Sequence, residues 1–214
     1  MTLSPSRRAL LAGAAGLAGS ALLRPAVAVG PTWPAGWPAD WPADPGTAAC
    51  RAPAAATPPE TEGPYFKPGT PLKQDLRADG RGGSLPGRPL DLVGRLQGRD
   101  CRPLAGAVVE LWHADDGGRY DNSGFTFRGH QLTDGQGRFG FRTVVPGLYP
   151  GRTRHLHLIL APARGGDGAA PLTTQLYFPD EPRNARDGLY DPALLLRLER
   201  QGDGLLGRYD FVVG

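Results

Sequence analysis

Apolar runs with helical period are nearly absent from the middle of this 214-residue chain, which carries 32 glycines and 23 prolines. Few stretches there are long enough and free enough of these two residues to hold an i→i+4 ladder, which excludes a helical bundle. Net charge is also lacking. The formal +3 includes Arg7, Arg8 and Arg24 of an N-terminal segment without acids; without them, 24 − 3 = 21 basic residues face 21 acidic ones. Nucleic acid and anionic membrane are therefore not expected as partners. Cysteine occurs twice, at Cys50 and Cys101, and neither has a Cys or His neighbour at ligand spacing, which argues against a thiolate metal site. A disulfide is the expected state in an oxidising compartment, closing a loop that adds roughly 4 kcal/mol in the chain-entropy model. No internal repeat relates the strand patterns described below to one another.

What is present at the N-terminus reads as an address. Ser6-Arg7-Arg8 precedes a small, modestly apolar run over residues 9–23, and Ala26-Val27-Ala28 supplies an A-x-A cleavage signal. Residues 1–28 are expected to be a twin-arginine-type signal peptide, with a periplasmic or secreted product. A retained anchor competes with this reading, but Arg24 ends the run before the about 20 apolar residues that a span needs, so no stable membrane insertion is expected. Residues 29–56 contain a Trp-Pro-Ala repeat (Trp33, Trp37, Trp41) whose prolines deny helix and ladder alike, giving an extended arm.

The domain is expected over residues 57–214, as an all-β, β-sandwich core with long loops and one short C-terminal helix. Strand patterns fall at residues 90–96, 107–114, 127–133, 137–144, 155–161, 172–178 and 208–213, with Asp134-Gly135 as a hairpin turn between the third and fourth. The helix is expected at residues 192–201, with Asp191 as N-cap and Pro192 at the first helical position.

The chemistry gathers in residues 146–161, where Tyr149 and Arg152 precede a His-x-His pair, His155 and His157. On a strand these imidazoles share one face with Cα atoms roughly 6.6 Å apart, close enough to converge on a metal ion. By itself the pair is as compatible with two core histidines. Tyr120 is the one aromatic of the loop at 115–124, a position that usually caps a core edge. Two phenols joined to two neutral imidazoles would favour a hard trivalent cation, Fe(III) over Fe(II) or Zn(II).

Several segments together resemble the intradiol ring-cleavage dioxygenases, the protocatechuate 3,4-dioxygenase-like branch most of all. They are Thr61-Glu-Gly-Pro-Tyr-Phe66, Leu111-Trp-His-Ala-Asp-Asp-Gly-Gly-Arg-Tyr120, Phe127-Arg-Gly-His-Gln-Leu-Thr-Asp134, residues 141–157 and Leu172-Thr-Thr-Gln-Leu-Tyr-Phe178, in order over residues 57–178. The resemblance implies a β-sandwich and a non-haem Fe(III) cofactor held by Tyr120, Tyr149, His155 and His157. It implies an aromatic diol and dioxygen as small-molecule partners, an oligomer being compatible with it. Tyr149 would be the ligand that departs when substrate arrives. Arg152 would be the catalytic cation, Gln175 would orient it or the substrate, and Tyr65 would line the substrate side. His113 and His130 match no ligand and are expected to be structural. Five residues separate Tyr149 from His155, a shorter link than in catabolic members, and it implies a more open pocket mouth. The rival to an enzyme is an exported β-sandwich that binds phenols or iron without turnover.

Overall fold

The computed structural model describes residues 50–163 and 170–214. The expected signal segment, the arm up to residue 49 and most of the Gly-rich turn at 163–168 lie outside them. Among the described residues, nine strands form two sheets. In the first, β1 (Pro89–Gly98) lies antiparallel to β4 (Arg138–Val144) on one side. On its other side it takes two parallel partners in succession, β8 (Gly204–Arg208) and β9 (Phe211–Val213). β7 (Arg197–Gln201) closes this sheet against β8. The second sheet is antiparallel throughout, in the order β3 (Arg128–Leu132), β2 (Val108–Trp112), β5 (His155–Ala161), β6 (Leu172–Tyr177).

Alternation along the strands makes the sandwich. Leu90, Leu92 and Leu96 of β1 and Phe139 and Phe141 of β4 meet Val109, Leu111, Leu156, Leu158, Leu160 and Leu176 of the second sheet in one buried cluster. Burial of apolar area on this scale is the main driving force for holding the two sheets face to face. Each strand of the second sheet then has its opposite residues on the outer face, and loops cover that face.

The segment before β1 is one such cover. The Cys50–Cys101 disulfide, Cα atoms 5.7 Å apart, ties it to the turn that follows β1. It then bonds through Thr57 to Val212 of β9, and reaches β6 through Thr174 Oγ1 to the Pro58 carbonyl and Glu60 N–H to the Thr173 carbonyl. It is a strap across both sheets, and it ends over the histidines of β5.

The expected C-terminal helix is shorter than its sequence pattern. Asp191 does cap, accepting from Ala193 N–H at 2.8 Å, and Pro192 opens the turn, but only Pro192–Leu194 coils, as a single 3-10 turn. The rest of the leucine-rich stretch is strand β7, paired with β8 across Gly202, whose φ of +60° makes the hairpin turn. Leu194 ends that turn buried, and after it Leu195 and Leu196 are held extended against the second sheet, Leu196 by its N–H on the Tyr177 carbonyl. Tertiary pairing overrides helical propensity here. The single closing strand expected at 208–213 is likewise two strands, split where Asp210 accepts from Arg95 N–H.

His113 follows β2 into the interior, where Nε2 lies 2.6 Å from Thr143 Oγ1 and Nδ1 2.7 Å from the Ala114 carbonyl. Burial depresses its pKa to about 4. A base whose folded pKa is depressed contributes stability above the unfolded value near 6.5, and that stability drains away as pH falls toward 4. Metal-free protein should lose about 3 kcal/mol of unfolding free energy through this residue across that window. Denaturant titrations at pH 7 and pH 4 on the parent and on His113→Gln check it, with a shallower acid decline expected for the variant.

Candidate functional site

The register of the second sheet lines up one row of its outer face. Arg128 of β3 is paired with Trp112 of β2, Trp112 with His157 of β5, and His157 with Gln175 of β6. The Trp112 indole stacks on the His157 ring, centroids 5.0 Å apart and planes 9° off parallel, so it holds that imidazole flat. One step along, His155 is paired with Tyr177.

Two loops bring phenols to this row. Asp115 folds the first by accepting from the N–H groups of Gly117 and Arg119, both at 2.9 Å. It then runs backbone to backbone against the second, through a bond from Gly147 N–H to the Asp115 carbonyl. A Cβ on Gly118, which has φ +80°, would sit 2.2 Å from the Leu148 carbonyl oxygen, and one on Gly147 would sit 2.3 Å from Gly118 N. Only glycine permits that approach. It delivers Tyr120 and Tyr149 to the same end of the sheet, with ring centroids 6.0 Å apart.

Tyr120, His155 and His157 converge. The Tyr120 hydroxyl is 3.2 Å from His155 Nε2, which is 3.1 Å from His157 Nε2. His155 Nδ1 lies 2.7 Å from the Thr153 carbonyl, so it carries the proton and leaves the Nε2 lone pair facing the cluster. Tyr149 stands beside them with its hydroxyl 2.9 Å from that of Tyr65, and the Tyr65 ring stacks on Tyr120 at 4.5 Å. The four expected ligand residues and Tyr65 are therefore in one cluster.

Arg152 and Gln175 meet on the far side. The arginine donates from Nη2 to Gln175 Oε1 at 2.8 Å and from Nε to Asp187 Oδ2 at 2.8 Å, and Gln175 in turn donates to the Thr61 carbonyl of the strap. Asp187 also accepts from Thr153 N–H and Leu189 N–H. Burial alone would raise its carboxyl, but these N–H donors and the guanidinium outweigh it and hold the pKa below the ordinary value. Tyr177 adds a 3.5 Å contact to the same guanidinium nitrogen and anchors its own hydroxyl on the Leu189 carbonyl.

The residues fit a cation. Burial lowers the His155 pKa to about 4 and that of His157 well below 6.5, so both imidazoles are neutral donors at pH 7. Burial pushes the Tyr120 phenol upward, so it ionises only with a positive charge beside it. His155 Nε2 offers a single lone pair to two neighbours, the Tyr120 hydroxyl and His157 Nε2. A cation at the focus would engage all three donors. Their 3.1 and 3.2 Å separations fall within the about 3.0–3.4 Å between ligands set 90–110° apart at bonds near 2.1 Å. Among the described residues no three His, Cys, Asp or Glu side chains gather for a metal, so a centre here depends on the phenols.

His113 and His130 lie outside the cluster's chemistry, the latter with Nδ1 2.8 Å from the Thr70 carbonyl, as the structural reading expects. Three site residues lack a signal in the local pattern: Asp187, Thr153 and Tyr177. A half-buried arginine needs a counter-charge, which would have directed a search to the acids downstream of residue 178, Asp187 among them.

A family model described as Dioxygenase matches residues 61–212. Among curated proteins, the chain is 34% identical over 149 residues to catechol 1,2-dioxygenase 2 of Acinetobacter lwoffii, covering 59% of this chain and 52% of that protein. It is 31% identical over 157 residues to the protocatechuate 3,4-dioxygenase beta chain of Burkholderia cepacia, covering 65% and 64%. The chain thus spans between half and two thirds of the length of these relatives. Among solved structures, the dioxygenase domain of a dioxygenase–carbohydrate-binding protein fusion from the cellulolytic bacterium Streptomyces sp. SirexAA-E superposes with a TM-score of 0.68 at 51% identity, covering 74% of this chain and 97% of that one.

The glycine contact between the two tyrosine loops is open to direct test. Gly147→Ala should destabilise the fold by about 1–3 kcal/mol through overpacking, read as a lowered Tm. Gly188→Ala, where an added Cβ meets nothing within 4 Å, should stay within about 0.5 kcal/mol of the parent.

Proposed function

The chain belongs to the intradiol ring-cleavage dioxygenases, and from that membership we propose that it uses Fe(III), held by Tyr120, Tyr149, His155 and His157, to cleave a catechol-type diol with dioxygen. The bond broken is the one between the two hydroxyl-bearing carbons. Both oxygen atoms enter the product, a muconate-type dicarboxylate, so no outside reductant is needed. The observation that carries this reading is the convergence of Tyr120, His155 and His157, with Tyr149 at their side and Arg152 facing the same space.

Bound Fe(III) supplies the Lewis acidity that makes a chelated diol ring reactive toward dioxygen. The chain's own groups do the rest. Tyr149 would hold the cation with an oxygen that also has a hydrogen-bond partner in the Tyr65 hydroxyl. Tyr149 would be placed to take a diol proton, with the Tyr65 hydroxyl to hydrogen-bond the resulting phenol. Arg152 is locked by Asp187, Gln175 and Tyr177, so its charge needs no reorganisation to stabilise negative charge developing beside the ring. Trp112 and the strap over residues 57–66 exclude water from one side.

The same proposal places the enzyme outside the cytoplasm. Its support is the twin-arginine pattern at Arg7-Arg8 and a disulfide of the kind that persists in oxidising compartments. Extracellular phenolics are then the natural source of diols. The Streptomyces relative, a fusion with a carbohydrate-binding protein from a cellulolytic bacterium, fits that setting.

Purified, iron-loaded protein should be coloured and should consume oxygen with at least one catechol. A coloured protein whose spectrum shifts with catechol but which consumes no oxygen would instead be a binding protein. Tyr149→Phe should retain most of its iron and slow turnover by at least about tenfold, the low end of a proton-transfer contribution. His157→Ala should lose iron, measured by metal analysis.

A further inference from the structure

Arg128, the β3 member of the outer-face row, is 1% exposed, and among the described residues it is the one arginine or lysine that is fully buried. Its Nε donates to the Asp121 carbonyl at 2.9 Å, which anchors the guanidinium beside the residue that follows Tyr120. Its central carbon lies 6.0 Å from the centre of the Tyr120 ring. Nη1 and Nη2 are buried without a hydrogen-bond partner, and so is Nε1 of Trp112, the residue opposite it on β2. Donors thus outnumber acceptors at this end of the row, and a buried cation without a counter-charge is costly.

The acids around it are committed elsewhere. Asp121 turns its carboxylate into its own loop, accepting from the N–H groups of Ser123, Gly124 and Thr126 at 2.7–3.0 Å. Glu110, two residues before Trp112 on β2, faces His130 in the register and accepts from the Thr70 hydroxyl at 3.0 Å. Asp187 is bound to Arg152 on the far side of the histidines. No described carboxylate reaches the Nη nitrogens of Arg128. The group that the guanidinium does lie against is the Tyr120 phenol, a donor that becomes an anion when it holds a trivalent cation. Tyr149, the other phenol, instead shares a hydrogen bond with Tyr65.

Resting on the Fe(III) reading above, we infer that Arg128 is a positioning residue of the iron centre: its fixed charge is the counter-ion of the Tyr120 phenolate, and it acts on the metal through that ligand. A positive charge buried beside the ring is screened far less than one at the surface. It lowers the energy of the phenolate's electrons, so the oxygen gives less of its charge to the cation. Strand β2 and the Trp112 indole stand between Arg128 and His157, so the guanidinium acts on the phenol more than on the imidazole end of the site. The two phenols are then unequal ligands. Tyr120 is an anion with a built-in cation, and Tyr149 is not.

Visible absorption of iron-loaded protein reads this effect, because the charge-transfer band of a tyrosinate on Fe(III) moves with the energy of the phenolate's electrons. Arg128→Gln removes the charge and keeps a hydrogen-bond donor, whereas Arg128→Lys keeps both. In a Tyr149→Phe background, where Tyr120 is the only tyrosinate, Arg128→Gln should move the band to longer wavelength. It should also weaken iron binding by about tenfold or more, judged by competition with a chelator. Arg128→Lys should hold the band where that background has it. In a Tyr120→Phe background, Arg128→Gln should leave the Tyr149 band in place. A Tyr120 band that Arg128→Gln leaves unmoved, that both substitutions move alike, or whose shift the Tyr149 band matches would overturn the inference. Should Arg128→Gln fail to fold, Arg128→Lys decides: an unshifted band supports the inference and a displaced one overturns it. Iron-loaded parent protein without any tyrosinate band would instead sink the Fe(III) reading itself.

Discussion

The antiparallel register of β5 between β2 and β6 is the constraint on which the site depends. Because strand residues alternate, placing Leu156, Leu158 and Leu160 in the core forces His155 and His157 onto the outer face. Because both neighbours are in fixed register, Trp112 lies on one side of His157 and Gln175 on the other. A slip of one residue would send the imidazoles into the leucine core, where they would lose their partners, and would expose the leucines. The hydrophobic core therefore fixes the donors' positions as a by-product of fixing its own.

Loops complete what the sheet begins, and they are held by backbone contacts more than by side chains. The crossing of Gly118 and Gly147 brings two tyrosines to one point, and the strap over residues 57–66 adds a third phenol and a lid. The arginine is handled differently. A half-buried guanidinium near neutral imidazoles needs a partner, and Asp187 provides it from a loop 35 residues away, itself secured by two N–H donors. That pairing keeps Arg152 rigid.

Much of this was readable in the chain. The strands of the second sheet follow a period of two, and the expected bounds fall within two residues of those found. The ligand-type residues were readable only as a set. His155 and His157 alone were as compatible with a core, and Tyr120 alone with a loop cap; the ordered motifs from residue 61 to residue 178 joined them. Asp187 was not readable, since it lies in an irregular loop and acquires meaning only from a partner distant in sequence. The stretch at 192–201 misled for another reason. Asp191-Pro192 is a sound helix start and the leucines that follow suit a helix, but the Gly202-Asp203 turn offers the same leucines a hairpin, and the edge of the first sheet takes them.

The central claim is that two loop tyrosines and two histidines on the outer face of one sheet hold a single iron ion. Resonance Raman spectra of iron-loaded parent, Tyr120→Phe and Tyr149→Phe proteins, excited in the visible band, address it most directly. The account predicts two sets of tyrosinate vibrations in the parent, with a different set lost in each variant. A parent spectrum without tyrosinate modes, or variants that both retain the full pattern, would contradict it.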